Sequence, residues 1–371
     1  FMVIKEIEII YVRLPMIMAF ETSFGKITYR PALIIKITDS SGNIGYGESS
    51  LLDVPISEHE TSEIGLEVLK TKIVPKIIGE DIKSLNSLHS TLAKYFNEYP
   101  VTTTGVESAY FNLISIRENR TIKNLFCGTR KNIFIGHSIG IQKNKINLFL
   151  AIQKALDDGF KKIKIKIKPG YDLDIVQSVR NKFPKLNFAV DANEAYSEKD
   201  IPLFKEMDKA EVFMIEQPFN GEDFITHAKL QSIIKTPICL DESIINVKTT
   251  KKAIKLKSCK IINIKPARVG GYVNAIKIHN LCQKNNIPCW VGGRLETGIG
   301  QIFNLSLASL DNFSLPSEII PSSEFLREDI ILTKINFKNG VATIPKLKHG
   351  KIILNERVIN KYLVSRTIFT A

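Results

Sequence analysis

The first fifty positions carry apolar residues in the manner of strands. Arg30–Ile37 is apolar and β-branched, Asp39-Ser40-Ser41-Gly42-Asn43 is a turn, and Ile44–Glu48 resumes the strand. Met18–Lys26, which contains Thr22-Ser23-Phe24-Gly25, reads as a mobile loop. Residues 57–118 switch to helical spacing, clearest in Ile64–Ile78 and Leu85–Tyr95. From about Ile133 short β-branched runs alternate with amphipathic stretches. The runs are Ile133–Gly140, Ile163–Ile167, Asn187–Asp191, Val212–Glu216, Ile238–Asp241, Ile261–Lys265, Cys289–Gly292 and Phe313–Pro316. Helix-like segments such as Ile146–Asp157, Asp174–Phe183, Val247–Leu256 and Ala275–Asn285 separate them. Strands alternating with helices imply βαβ units and a parallel sheet, and eight such runs fit a β/α barrel. Beyond Pro316 the pattern is irregular, with strand-like texture over Ile330–Ile353.

Composition narrows this picture without changing it. The 371 residues are 44% hydrophobic and 24% charged, which excludes a disordered chain, a collagen-like fibre and a coiled-coil rod. No apolar stretch is long enough to cross a membrane as a helix, and the charged start (Lys5, Glu6, Glu8) is not a secretory signal. Five cysteines, none in a C-x-x-C pair, suit reduced thiols and a cytoplasmic location. The net charge of +13 is spread along the chain, as in Lys251, Lys252, Lys255, Lys257 and Lys260. Without interleaved aromatics this favours a solvated lysine-rich surface over a nucleic-acid footprint. A basic nucleic-acid-binding protein is the reading from another class. It predicts strongly salt-dependent binding to DNA.

The chemistry lies in a register. Asp191, Glu216, Asp241 and Lys265 each end an apolar run, at spacings of 25, 25 and 24 residues, and Lys166 lies 25 before Asp191. One strand, one helix and two loops take about that many residues. The five groups therefore belong at the C-terminal ends of successive strands, the face where barrel enzymes hold their chemistry. Three carboxylates converging there repel one another unless a cation sits between them, and all-oxygen ligands suit Mg²⁺. The plainer reading is that each carboxylate caps the next helix. Lys162, Lys164, Lys166 and Lys168 alternate along one strand and share a face, which is costly inside a barrel unless anions balance it. Lys164 beside Lys166, with a metal ion nearby, would lower the Lys166 amine toward neutrality, as a general base requires.

Weaker candidates surround these. Asn193 orients the ion or makes a turn. Glu242 pairs a lysine behind the ligands or caps a helix. Arg268, in Lys265-Pro266-Ala267-Arg268-Val269-Gly270-Gly271, binds a substrate carboxylate or lies on the surface. Gly292-Gly293-Arg294-Leu295-Glu296-Thr297-Gly298 is a candidate anion cradle, with Gly293, Glu296 and Thr297 as contacts, or a plain strand-to-helix turn. Gly136-His137-Ser138-Ile139-Gly140 fits the pattern of a serine nucleophile elbow. However, five residues separate it from the next helix-like run, and Ser138 is placed instead among the substrate contacts.

Together Lys164-Ile165-Lys166, Val190-Asp191-Ala192-Asn193, Ile215-Glu216-Gln217-Pro218, Leu240-Asp241-Glu242-Ser243 and Ile264-Lys265-Pro266-Ala267-Arg268-Val269-Gly270-Gly271 resemble the enolase superfamily, muconate-lactonizing subgroup. Gly293–Gly300 and Asn312-Phe313-Ser314-Leu315-Pro316 are similar to its o-succinylbenzoate synthase / N-succinylamino acid racemase family. The resemblance implies an α/β fold: a modified TIM-type (β/α)7β barrel with an α+β capping domain. The expected division is a cap over 1–128, a barrel over 129–320 and a tail over 321–371 returning to the cap. It implies Mg²⁺, for which Mn²⁺ substitutes, held by Asp191, Glu216 and Asp241, with Lys166 as base, Lys265 facing it and Lys164 beside it. Phe24, in the loop expected to close over the site, joins the substrate contacts. The expected substrate is a small carboxylate, with no nucleic acid or membrane partner and a homo-oligomer as one option. The reaction is dehydration of 2-succinyl-6-hydroxy-2,4-cyclohexadiene-1-carboxylate, or racemization of an N-succinylamino acid by the same lysine pair. Dipeptide epimerase or muconate cycloisomerase activity is less expected; Leu315-Pro316-Ser317-Glu318 lacks the Asp-x-Asp of the epimerases. Departures are Ala267 for the usual Gly, Arg294 for Met and Glu318 for Asp, and an added cation at Arg294 would bear on the substrate's distal group.

Overall fold

The computed structural model describes residues 3–22, 25–55 and 59–371, with side chains at 19–27 not described. The candidate Phe24 therefore lies outside the described residues. Three antiparallel strands, β1 (Ile4–Thr22), β2 (Gly25–Asp39) and β3 (Ile44–Ser49), begin the chain. Their apolar runs are nearly continuous because both faces are covered. Ile7, Ile9, Leu33, Ile35 and Ile37 pack into the core of the cap helices. Ile10, Val12, Leu14, Ala32 and Ile34 join the core shared with the barrel. The segment expected to be a loop is largely strand: after an irregularity past Pro15, pairing resumes at Phe20 with Ile27 and reaches Thr22 with Gly25. Helix Pro100–Arg117 lies on β3, where Gly47 meets the Gly105 carbonyl too closely for any Cβ.

Beyond Asn132 comes β4 (Asn132–Phe134), then seven parallel strands in sequential order: β5 (His137–Ile139), β6 (Ile163–Lys166), β7 (Phe188–Asp191), β8 (Ile215–Glu216), β9 (Ile238–Leu240), β10 (Ile261–Ile264) and β11 (Cys289–Val291). A helix follows each, from Lys145–Asp157 to Gly298–Ala308. Ser317 bridges to Ile135 and Glu318 to Gly292, so this pair joins both edges and closes a (β/α)7β barrel. Two expectations are corrected here. The eighth strand position is Ser317–Glu318, not Phe313–Pro316. Ile133–Gly140 is not one strand: β4 leaves the barrel to pair with β13 (Val341–Thr343), which also pairs β12 (Asn336–Lys338). The last strand, β14 (Leu363–Thr370), pairs with β1 at the far side of the cap sheet. Ala189, Met214, Cys239, Ile261 and Trp290 form a small apolar cluster of their own, separate from the larger core shared by cap and barrel. Among the described residues no helix is long and apolar enough to cross a membrane.

Candidate active site

The in-phase spacing becomes adjacency in space. Lys166 pairs in register with Asp191, and Asp191 with Glu216. Asp241 follows β9 and Lys265 follows β10. A cleft of about 230 Å³ opens over these strand ends, lined by Ser138, Lys164, Lys166, Asp191, Asn263, Lys265, Trp290, Gly292, Gly293, Leu295, Glu318 and Ile320.

Charge is arranged in layers. The Lys166 ammonium donates to Asp191 at 2.7 Å and Asn193 at 2.5 Å. Lys164, one layer deeper, contacts Glu216 at 2.7 Å, Glu318 at 2.8 Å and Asp191 at 3.1 Å. Lys265 donates to Asp241 at 2.7 Å. Arg268 reaches the other oxygen of the same carboxylate, so it is buried on a candidate ligand rather than exposed on the surface. Asn193 donates to Glu242 at 3.0 Å. Gln217, with a left-handed backbone at φ 37°, accepts from the Asp241 and Ser243 N–H groups and fixes the turn after β9.

These contacts set the titrations. Burial alone would lift the Asp191 carboxyl, but Lys164 and Lys166 outweigh it and hold it well below the usual range. Glu216 is pushed up to about 8 by burial and by the negative charges of Asp191 and Asp241. Glu242 rises to about 7 through burial and the neighbouring Asp241. Lys166 departs from expectation. Burial lowers its amine, but the touching Asp191 carboxylate prevails and the net shift is upward. A like charge from Lys164 does not offset a carboxylate at hydrogen-bond distance.

As they stand, the carboxylates face lysines, and among the described residues no group of three or more His, Cys, Asp or Glu side chains is disposed to hold an ion. The donors nonetheless fit a hard divalent cation in kind: three buried carboxylates on neighbouring strand ends, all oxygen. Burial, and after it the negative charges of Asp191 and Asp241, holds the Glu216 carboxyl high, and a cation among these oxygens would oppose both. The buried Glu242 Oε2 also has no hydrogen-bond partner.

The glycine-rich run is not an open anion cradle. The Gly292, Gly293, Arg294, Thr297 and Gly298 N–H groups are given to Ile264, Glu318, Glu296, Glu48 and Asp329 respectively. Thr297 is buried, with its hydroxyl also on Glu48, so its polar groups face the cap. Glu296 turns back onto Arg294, and of this run Gly292, Gly293 and Leu295 reach the cleft. Ser138 does reach it, level with Lys164. No elbow exists there, because Ser138 is inside a strand and the next helix starts at Lys145. Ala267 packs its methyl into the cap core and is not among the residues lining the cleft. Asn263, Trp290, Leu295 and Ile320 line the cleft without having been singled out from the sequence. Asn263 is two residues before Lys265, and that alternation was its available signal.

Residues 150–350 match the family model described as "Enolase C-terminal domain-like". The chain is 35% identical to an o-succinylbenzoate synthase of Bacillus subtilis, over 99% of this chain and 98% of that one. It is 34% identical to an N-succinylamino acid racemase of Thermus thermophilus, over 92% of each. A crystal structure of an enolase superfamily member from Listeria innocua superposes with a TM-score of 0.95, at 33% identity, over 100% of both chains. With two lysines and three carboxylates in phase on one barrel face and these full-length likenesses, the chain belongs to the enolase superfamily.

Proposed function

We propose that this enzyme is an o-succinylbenzoate synthase that removes the α-proton of a carboxylate substrate and expels hydroxide as water. The observation carrying this reading is the opposed lysine pair. In a ring of eight strand positions β6 and β10 are four apart, so Lys166 and Lys265 reach the cleft from opposite sides. The full-length similarity to synthases supports the substrate.

Asp191, Glu216 and Asp241 would hold Mg²⁺. When bound, the ion would supply positive charge beside the substrate carboxylate and so offset negative charge developing there. Lys166, as the free amine once its ammonium no longer pairs with Asp191, takes the α-proton. The electron pair left behind forms the ring double bond as the C–O bond breaks, and Lys166 returns its proton to the departing hydroxyl, giving water. Lys265 stays protonated and faces the developing anion. Lys164 keeps the deep carboxylates balanced, while Ser138, Asn263 and Leu295 shape the wall. Arg268 steadies Asp241. The cytoplasm is the proposed location, in keeping with five free cysteines of which four are buried.

The same pair supports a second reading, N-succinylamino acid racemization, favoured by the racemase relatives. Here one lysine removes the α-proton from one face and the other returns a proton on the opposite face. Proton NMR in D₂O with Mg²⁺ separates the two. Fast dehydration of the cyclohexadiene carboxylate, lost with EDTA and in Lys166→Ala, is expected. Exchange and racemization of N-succinyl amino acids without dehydration would replace the first reading with the second.

A further inference from the structure

Two barrel helices begin without a cap of their own. Helix Tyr272–Lys284 follows the loop bearing Lys265, and helix Gly298–Ala308 follows the loop bearing Leu295. Their N-cap residues, Gly271 and Thr297, make no capping side-chain bond to their own helix. In both, a buried carboxylate from the N-terminal cap takes that place. Glu48 accepts from the Thr297 N–H at 3.0 Å, the Thr297 hydroxyl at 2.7 Å and the Gly300 N–H at 3.0 Å. Glu107, on helix Pro100–Arg117, accepts from the Tyr272 N–H and from the Val273 N–H at 3.3 Å. His89 donates to Glu107 through Nε2 and stacks on Phe96 with ring centroids 4.0 Å apart.

The Lys265 loop is pressed against the cap along its length. Ala267 belongs to the cap core. Gly270 and Gly271 have φ of 78° and 101°; a Cβ on Gly270 would meet the Phe96 carbonyl, and one on Gly271 would overlap the Glu107 carboxylate. The loop is also internally tight: the Lys265 carbonyl accepts from the N–H groups of Arg268 and Val269, and the Pro266 carbonyl from that of Gly271. A shift at Gly271 therefore travels to Lys265. β6, carrying Lys166, has no comparable tether among the described residues.

We propose that Glu107, with His89 behind it, is a positioning residue for Lys265: docking of the cap sets where one of the two lysines stands and leaves the other alone. The inference rests on the opposed-lysine reading above. It follows that loosening Glu107 damages proton transfer on one face of the substrate only.

The test uses full-length Mg²⁺-loaded Glu107→Gln and both enantiomers of an N-succinyl amino acid in D₂O, with backbone amide exchange followed in parallel. Misplacing a reacting group by about an ångström costs up to about a hundredfold, so exchange from the enantiomer served by Lys265 should fall about tenfold or more relative to the other. The Tyr272 and Val273 amides should lose about tenfold in protection while helix Pro100–Arg117 does not. Equal slowing of both enantiomers, or unchanged protection at those amides, would overturn the proposal. If Glu107→Gln does not fold, His89→Ala leaves the carboxylate in place and should shift the enantiomer ratio in the same sense; an unchanged ratio there also overturns it. If the unaltered protein dehydrates but exchanges neither enantiomer, amide protection at Tyr272 and Val273 decides the proposal, unchanged protection overturning it; if it neither exchanges nor dehydrates, the opposed-lysine reading fails and the same amide protection decides whether Glu107 holds the loop.

Discussion

Strands β6 and β10 stand across the barrel from one another, and each, with one adjoining residue, presents three interior positions. Along β10 and the residue that follows it these are Ile261, Asn263 and Lys265: apolar at the floor, neutral polar in the middle, charged at the mouth. Each group suits its depth. Ile261 lies in the interior cluster, Asn263 bridges to Glu216 at 3.0 Å, and Lys265 faces the cleft. The β6 side carries lysine at all three levels, Lys162, Lys164 and Lys166. Lys162 is 1% exposed and lies 3.7 Å from the centroid of the Trp290 ring, with the Pro316 carbonyl at 3.0 Å and Glu318 at 3.3 Å. Burial lowers its amine despite Glu318. Lys164 is also buried, yet Asp191, Glu216 and Glu318 overcome the burial and raise it well above the ordinary value. Two ammonium groups one layer apart thus shift in opposite directions. The number of carboxylates in reach decides the sign, and depth does not.

The largest effects belong to the two lysines at the mouth. Lys166→Ala should cut dehydration by about 10²–10⁴-fold, the usual worth of a positioned base. Lys265→Ala should keep exchange on the Lys166 face; deuterium incorporation into each enantiomer reads both. One layer down, Lys164→Met leaves three buried carboxylates without their shared cation. In metal-free protein it should cost about 3–5 kcal/mol by urea unfolding. A cost under about 1 kcal/mol would show that the carboxylates do not depend on it.

The floor should respond least among the lysines. Lys162→Met keeps contact with Trp290 and leaves Glu318 with Lys164, so the change at pH 7 should stay under about 1.5 kcal/mol. Its sign with pH is definite. A lysine lowered in the folded state is neutral there over a range in which the unfolded chain still binds the proton. The native protein should therefore gain stability over Lys162→Met as pH rises from the lowered value toward about 10.4. Urea midpoints measured from pH 7 to 10 that run parallel would sink this. On the β10 side, Ala267→Gly removes a methyl from the cap core and should cost about 1 kcal/mol. Because Ala267 belongs to the contact that presses the Lys265 loop on the cap, exchange from the enantiomer served by Lys265 should fall more than from the other, though less than in Glu107→Gln; equal rates for the two would count against that contact.

Much of this site was legible because it is periodic. Asp191, Glu216, Asp241, Lys265 and Lys166 repeat at the length of one βα unit, and repetition along the chain becomes adjacency around a barrel. The upward shift of Lys166 was not legible, since it depends on an Asp191 oxygen 2.7 Å away. The spent N–H groups of the glycine-rich run were hidden for a similar reason. Their acceptors, Glu48 and Asp329 among them, come from distant parts of the chain.

Read along the chain, the residues specify the alternation of strands and helices, the strand ends on which the chemistry sits and the family to which it belongs. Each of these follows from local pattern, because side-chain periodicity and element length need no partner to be read. The folded arrangement alone closes the barrel at Ser317–Glu318, lays Arg268 on Asp241 and sets Glu48 and Glu107 as caps on helices they do not belong to. It also decided that Lys162 rests on Trp290. Burial, Coulomb energy and hydrogen bonding act across space, and the residues they join here lie tens to hundreds of positions apart.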